Sequence, residues 1–249
     1  MSRSSLLPIK DIQLIHDPFG KKGALALFWT LSRTGVERSE AFSINELAKL
    51  INSSSSTAHR SISALALDGI FKAEGVRTSK RYSLKKPDEL LKLWIKSYKF
   101  NRKVKKLQLG ISNPAEFQKK KNELLSDFGV PALHTAAKNI FHVGVSNLQQ
   151  IEAYVSEWDG VEKLSKKFGL VEQGQGYEVL LLKPYYDQVV LNFRDHSNDP
   201  QWNSAYSILT FLDLYHFPLR GLEQAEALFR KQKVLSSICT WKEIEALDE

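Results

Sequence analysis

The stretch from Ser43 to Leu84 leaves this chain the fewest ways to fold. Ser43-Ile44-Asn45-Glu46 is a capping box: the Ser hydroxyl accepts from the third helical amide, and the Glu at that position reaches back. Leu47, Ala48, Leu50 and Ile51 supply the apolar side of a short helix. Asn52-Ser53-Ser54-Ser55-Ser56 then provides a polar turn and a choice of N-caps for a second helix. There Ala58, Ile62 and Leu65 fall at i, i+4 and i+7 and share one face, leaving Ser56, His59, Arg60 and Ser63 on the other. Asp68-Gly69 stops the helix, with Gly69 suited to a left-handed cap. Ile70 to Val76, a polar turn at Arg77-Thr78-Ser79-Lys80, and Arg81 to Lys85 spell a two-stranded hairpin.

Helix, tight turn, helix and hairpin make a winged helix-turn-helix, in which the second helix enters the major groove and the hairpin tip touches the backbone. The expected DNA-binding residues are Ser54, Ser55, Ser56, Thr57, His59, Arg60 and Ser63 on the helix, with Arg77, Lys80 and Arg81 on the wing. Short hydroxyl side chains let a helix approach the groove floor. Arg60 is long enough to reach a guanine edge or a phosphate. The competing interpretation is a helical pair with a hairpin that serves only as a structural or protein-binding module. These few side chains do not specify a base sequence.

Charge divides the chain. Residues 1–121 carry 24 Lys+Arg against 10 Asp+Glu, a balance of +14, and residues 122–249 carry 11 against 18, a balance of −7; together they return the whole-chain +7. A basic segment around a helix-turn-helix suits phosphate binding, where counterion release drives much of the affinity. The acidic remainder is free for another partner. At 249 residues with 43% hydrophobic content there is material for one large domain or two small ones, and for real cores. The single cysteine, Cys239, excludes an intramolecular disulfide and a multi-Cys metal site and fits a reducing compartment. Neither an 18-residue apolar run nor a signal-peptide core is present, so a cytoplasmic protein without a membrane partner is expected.

Taken in order, residues 1–22 read as a lead-in in which Leu14, Ile15 and Phe19 pack on the domain behind them, and Pro8, Pro18 and Gly20 prevent one long helix. Gly23 to Arg33 is the first helix that a winged-helix core requires, ended by Thr34-Gly35, with Trp29 in the core or at an interface. Pro87 to about Gln108 reads as one long helix: Leu90, Leu91, Trp94, Ile95, Tyr98 and Val104 make an apolar stripe. Opposite lie Lys92, Lys96, Lys99, Arg102, Lys103, Lys105 and Lys106, either a solvated face or a set of added DNA contacts. Asn113-Pro114 opens another helix through Leu125. Beyond Asp127, strands are expected at Ile151 to Val155, Tyr177 to Leu182 and Val189 to Phe193. Helices are expected at Leu133 to Asn139, Gly160 to Phe168, Tyr206 to Tyr215 and Gly221 to Lys233. The fold class is α+β: a winged helix-turn-helix over 1–86, a basic helical linker over 87–126, and a mixed α/β domain over 127–249.

Little in the chain spells catalysis. The six histidines show no HxxxH spacing, and Walker A, GxGxxG and GxSxG patterns are missing. Gly174-Gln175-Gly176 is a turn. Asp187, Asp195, Asp199 and Asp213 could gather around Mg²⁺ as in a nuclease, but the strand that should carry an acid-x-Lys pair has Glu178 and Lys183 five apart. No enzyme activity, cofactor or metal is expected.

From about Phe42 to Gln232 the chain resembles the AbiEi-type antitoxins of type IV toxin–antitoxin (abortive infection) systems, which also carry an N-terminal winged helix. The resemblance rests on Leu90-Leu91-Lys-Leu-Trp94-Ile-Lys-Ser-Tyr98-Lys-Phe-Asn-Arg102, on Pro131-Ala-Leu-His-Thr135-Ala136-Ala137 and on Val179-Leu-Leu-Leu-Lys-Pro184. It is strongest at Ile208-Leu-Thr-Phe-Leu212-Asp213-Leu214 followed by Arg220-Gly-Leu-Glu223-Gln-Ala225-Glu226-Ala-Leu228. Two departures stand out: His134-Thr135 replaces the family's Thr-Gly, and the Gln before Leu-Asp-Leu is missing. The resemblance implies repression of the protein's own promoter through the winged helix. It also implies neutralisation of a cognate nucleotidyltransferase-like toxin by the C-terminal part, without a stable complex being required. Asp213, Arg220 and Glu223 are expected to tie the last two helices together. The alternative is a stand-alone regulator whose C-terminal domain binds a ligand or mediates oligomerisation. A homodimer would suit such a regulator, although no heptad marks an interface.

Overall fold

A computed structural model of the chain describes residues 17–34, 41–144 and 149–247, with the Thr78 side chain excepted. The expected lead-in contacts of Leu14 and Ile15, and the Gly35 helix stop, lie outside these residues.

Helix α1 (Ala24–Ser32) is buried along its whole length. Its sequence, ALALFWTLS, has no polar side, and a helix apolar all round must be covered all round. Thr30 and Ser32 turn their hydroxyls back onto the Leu27 and Trp29 carbonyls, so neither enters the core unsatisfied. Helices α2 (Ile44–Leu50) and α3 (Ser55–Leu67) follow, then strands β1 (Phe71–Glu74) and β2 (Arg81–Leu84), paired antiparallel from Phe71↔Leu84 to Glu74↔Arg81. Phe42 exchanges two backbone hydrogen bonds with Tyr82 and adds a bridge beside β2. Leu50, expected on the apolar side of α2, is 55% exposed, whereas Leu47, Ala48 and Ile51 are buried.

The segment expected as one long helix is broken. It forms α4 (Pro87–Ser97), α5 (Phe100–Lys103) and strand β3 (Lys105–Ile111), before α6 (Pro114–Glu123) and a π-helical turn at Leu124–Phe128. Tyr98 leaves helical geometry with φ −77° and ψ 125°, and Val104 is extended as well. The 87–126 stretch is therefore not a helical linker. Its β3 pairs antiparallel with both β6 (Leu170–Glu172) and β7 (Val179–Lys183) inside a five-stranded sheet.

The remaining elements are β4 (Val130–Pro131), α7 (Leu133–Asn139), β5 (Ile151–Tyr154), α8 (Val161–Lys167), α9 (Asp187–Asp195), α10 (Pro200–Tyr215), α11 (Gly221–Lys231), α12 (Lys233–Ser236) and α13 (Trp241–Glu245). The sheet order is β4-β5-β7-β3-β6, with β5 and β7 parallel and the other neighbours antiparallel. The mixture confirms the α+β class. Where alternation predicts a strand, at Val189 to Phe193, the chain is α9. Val189, Val190 and Phe193 are its buried residues, at i, i+1 and i+4, which one helix face satisfies and one strand face cannot.

Strand β7 explains its own unbroken apolar run. Leu180 and Leu182 face a core shared with α7, α9, α10 and α11, while Val179 and Leu181 face a second core made with Phe117, Leu124, Val161, Leu164 and Phe168. A strand covered on both faces needs apolar residues at every position. Each such side chain contributes about 1.5–3 kcal/mol of burial.

The first of these cores is continuous with that of α1–α3. Phe28 lies 4.4 Å from Trp94 and 5.1 Å from Tyr186, centroid to centroid. Trp94 Nε1 donates to the Tyr186 hydroxyl (2.9 Å), which donates to the Phe19 carbonyl (2.9 Å). Gln201 of α10 donates to the Trp29 carbonyl at 2.9 Å and to the Ser32 hydroxyl. Helix α1 is thus shared between the N-terminal elements and α10.

Candidate nucleic-acid interface

Two capped helices set the position of the exposed α3 face. The Ser43 hydroxyl accepts from the Glu46 amide at 3.2 Å, and the Glu46 carboxylate accepts from the Ser43 amide at 2.7 Å. That backbone hydrogen bond, aided by Arg81, holds the Glu46 carboxyl below the usual carboxylate range. Asn52 takes a left-handed conformation (φ 49°), and the Ser53 amide returns to the Ala48 carbonyl, closing the turn. The Ser54 hydroxyl caps α3 by accepting from the Thr57 amide at 3.2 Å. Behind α3, Ala58, Ser61, Ile62 and Leu65 are buried. A Cβ added at Gly23 would meet the Ser61 hydroxyl at 2.0 Å, so the glycine lets the start of α1 approach α3.

The expected contact residues divide into two sets. Ser54 and Thr57 are occupied in the cap and share a 2.8 Å hydroxyl contact. Ser55 donates to Asn45 Oδ1 (2.8 Å) and joins α3 to α2. Ser63 donates back to the His59 carbonyl (2.6 Å). By contrast, Ser56, His59 and Arg60 are exposed and have no side-chain hydrogen bond or ion pair among the described residues. They sit at i, i+3 and i+4 and form one outward row.

On the hairpin, Gly75 (φ 81°) and Arg77 (φ 51°) make the tight tip, and a Cβ at Gly75 would lie 2.7 Å from the Ser79 carbonyl. The Arg77 side chain is exposed, and Lys80 Nζ lies 5.4 Å over the Tyr82 ring. Arg81 is differently placed. Its guanidinium donates to the Ala41 carbonyl and to Glu46 (3.3 Å), clamping the hairpin onto the N-terminus of α2. It is a positioning group for the hairpin rather than a free cation. At about half exposure for both partners, solvent screens the ion pair, and its role is positional.

The basic stripe expected along 92–106 is not one surface. Lys92 bridges Asp88 and Glu243 of α13, and those contacts raise its pKa, the Glu243 hydrogen bond foremost. Lys103 Nζ lies 4.7 Å over Tyr185, and burial lowers its pKa. Lys106 donates to Asn101 at 2.6 Å.

The four aspartates of the nuclease alternative are held apart in separate duties. Asp187 pairs with Lys21 (2.6 Å), Asp195 with Arg194 (3.0 Å), Asp199 caps α10, and Asp213 accepts from Tyr98. Among the described residues, three or more His, Cys, Asp or Glu side chains do not converge to hold a metal ion. The expected tie between the last two helices through Asp213, Arg220 and Glu223 is also corrected. Arg220 and Glu223 form a local exposed pair at 3.5 Å, whereas Asp213 reaches back to α4.

A polar centre that sequence reasoning missed lies under β5. Glu152 is buried and accepts from the Tyr177 hydroxyl (2.8 Å), from His134 Nδ1 (3.0 Å) and from the Thr135 amide (3.1 Å). The Thr135 hydroxyl in turn accepts from the Glu152 amide at 2.9 Å. Its sequence signal is an acid inside an otherwise apolar strand, Ile151-Glu-Ala-Tyr-Val155.

The family model described as transcriptional regulator, AbiEi antitoxin, type IV TA system matches residues 83–235. None of the curated proteins and none of the solved structures matches the chain. Among the described residues no helix is long and apolar enough to cross a membrane.

Proposed function

Because this chain belongs to the AbiEi antitoxin family of type IV toxin–antitoxin transcriptional regulators, we propose that α1–α3 with the β1–β2 hairpin is a winged helix-turn-helix that binds double-stranded DNA upstream of its own gene and represses it. The observation that carries this is the outward row Ser56, His59 and Arg60, whose side chains make no hydrogen bond or ion pair among the described residues, on a helix capped by Ser54 and packed beside the capped α2. A side chain with no intramolecular partner breaks no bond within the protein when it turns to a base edge or a phosphate. In this assignment Arg60 reads the groove, Arg77 and Lys80 touch the backbone from the wing, and Arg81 keeps the wing in position. Ser54, Ser55, Thr57 and Ser63 shape the helix, and their small size permits its close approach.

The elements after β2 carry the antitoxin activity in this proposal, acting against a nucleotidyltransferase-like toxin encoded nearby. The test has two arms. Fluorescence anisotropy with DNA from upstream of the gene is expected to show binding that weakens steeply with salt. Expression of the neighbouring gene is expected to arrest growth, and the full chain to relieve the arrest. Salt-insensitive or undetectable DNA binding overturns the first assignment. Arrest that the chain cannot relieve overturns the second.

A further inference from the structure

The described part of the chain contains five buried side-chain polar atoms without a hydrogen-bond partner, and two of them belong to the wall of one cavity. They are His134 Nε2 and Gln150 Oε1. A buried polar atom left unpaired costs about 1–3 kcal/mol, and both of these belong to residues that line the same cavity. The cavity holds about 460 Å³, a size that takes a small molecule. It lies between α6, α7 and the residues leading into β5, with Gln224 of α11 also on its wall.

Its chemistry is uneven in a telling way. Among the described residues the cavity lining includes Lys121 and Lys138 and no carboxylate. Gln118, Lys121 and Asn122 fall at i, i+3 and i+4 of α6, so one helix face supplies two carboxamides and a cation. On α7, His134 and Lys138 are likewise four apart. Gln224 is committed to the Val143 carbonyl at 3.1 Å. Gln118, Asn122 and Gln150 make no side-chain hydrogen bond among the described residues.

Behind the wall, Glu152 organises His134. The carboxylate accepts at Nδ1, which fixes the ring and leaves Nε2 as the nitrogen without a partner. The carboxylate itself is met by three donors within the fold.

We infer that this cavity is a binding site for a mononucleotide. Carboxamides present a donor and an acceptor from one planar group, which matches the alternating donors and acceptors on the edge of a nucleobase. Lys121 and Lys138 supply cations for the phosphate. The site is separate from the α3 face and does not rest on DNA binding.

The test uses isothermal titration calorimetry on the full chain with the four common nucleoside 5′-monophosphates, the matching nucleosides, ribose 5-phosphate and inorganic phosphate. At least one monophosphate is expected to bind saturably, and more tightly than its nucleoside, ribose 5-phosphate or phosphate. The double substitution Lys121→Ala with Lys138→Ala is expected to weaken it about tenfold or more, with the melting temperature unchanged. Gln150→Leu, which keeps both cations, is expected to weaken the monophosphate and leave ribose 5-phosphate unaffected. Absence of saturable binding by all four monophosphates, equal binding of ribose 5-phosphate or phosphate, or full affinity in the double variant overturns the assignment.

Discussion

The Tyr98 hydroxyl donates a hydrogen bond to Oδ1 of Asp213, joining the end of α4 to the far part of α10 across 115 positions of sequence. Both residues are fully buried, and Asp213 Oδ2 has no hydrogen-bond partner among the described residues. Burial pushes the Asp213 carboxyl up to about 8, against an opposing pull from the Tyr98 hydrogen bond. At neutral pH the group is therefore held mainly as the neutral acid.

This gives Asp213 a signed effect on stability. Its folded pKa is raised above the ordinary 3.8, so the folded state binds the proton more tightly than the unfolded state. The stabilisation is fully present below about pH 4 and is lost as pH rises through about 8. Asp213→Asn removes this dependence. Chemical denaturation is expected to show the variant gaining on the parent between pH 5 and 9, by an amount on the order of a few kcal/mol. A difference that stays constant across that range would mean that Asp213 is already ionised at pH 5. Tyr98→Phe is expected to cost about 1–3 kcal/mol by leaving the carboxyl without its donor.

Arg60→Ala separates readout from folding. Because Arg60 is exposed and unpaired among the described residues, the melting temperature should barely move, within about 0.5 kcal/mol of stability. Affinity for the upstream DNA should fall by about 1–3 kcal/mol. Unchanged anisotropy would remove Arg60 from the interface.

Cutting the chain after residue 121 should destroy both halves, whatever the charge division suggests. Strand β3 would be left without β6 and β7, and α1 would lose its cover on α10. Fragment 1–121 is expected to show no cooperative thermal transition by circular dichroism. A sharp transition with native DNA affinity would show that the two cores are separable.

Gly221→Ala tests the turn between α10 and α11. The added Cβ would lie 2.3 Å from the Leu214 carbonyl and 2.9 Å from Phe217 Cβ, and neither is the flexible end of a side chain. A loss of roughly 1–3 kcal/mol is expected in denaturant titration. Wild-type stability would mean that the turn relaxes at no cost.

The capped pair of helices, the glycine stop and the hairpin are legible because their signals are local: a hydroxyl three residues before a Glu, an apolar face at i, i+4 and i+7, a glycine where φ is positive. The outward residues Ser56, His59 and Arg60 follow from the same periodicity. Residues 105–108 read as helix because Lys105 and Lys106 continue a basic pattern, whereas the strand that Lys105–Ile111 form is held by partners about 60 or more positions away. Residues 189–193 alternate well enough for a strand, and the burial of Val189, Val190 and Phe193, with Phe193 stacked on Tyr206 of α10, selects the helix. Arg81 looks like a free cation in the sequence because its partners, Ala41 and Glu46, are 40 and 35 positions away.

By itself the sequence determined the caps, the turns, the paired hairpin, the apolar strand at β7 and the apolar α1, since each follows from neighbours within a few residues. Only the tertiary structure decided that α1 is shared with α10, that β3 sits inside the sheet, and that Tyr98 and Asp213 meet. It also decided that Glu152 collects Tyr177, His134 and Thr135 behind a cavity. Those relationships depend on which distant surfaces bury one another. A hydrogen bond between residues far apart in the chain forms because the packing around it has already met the cost of closing the intervening loop.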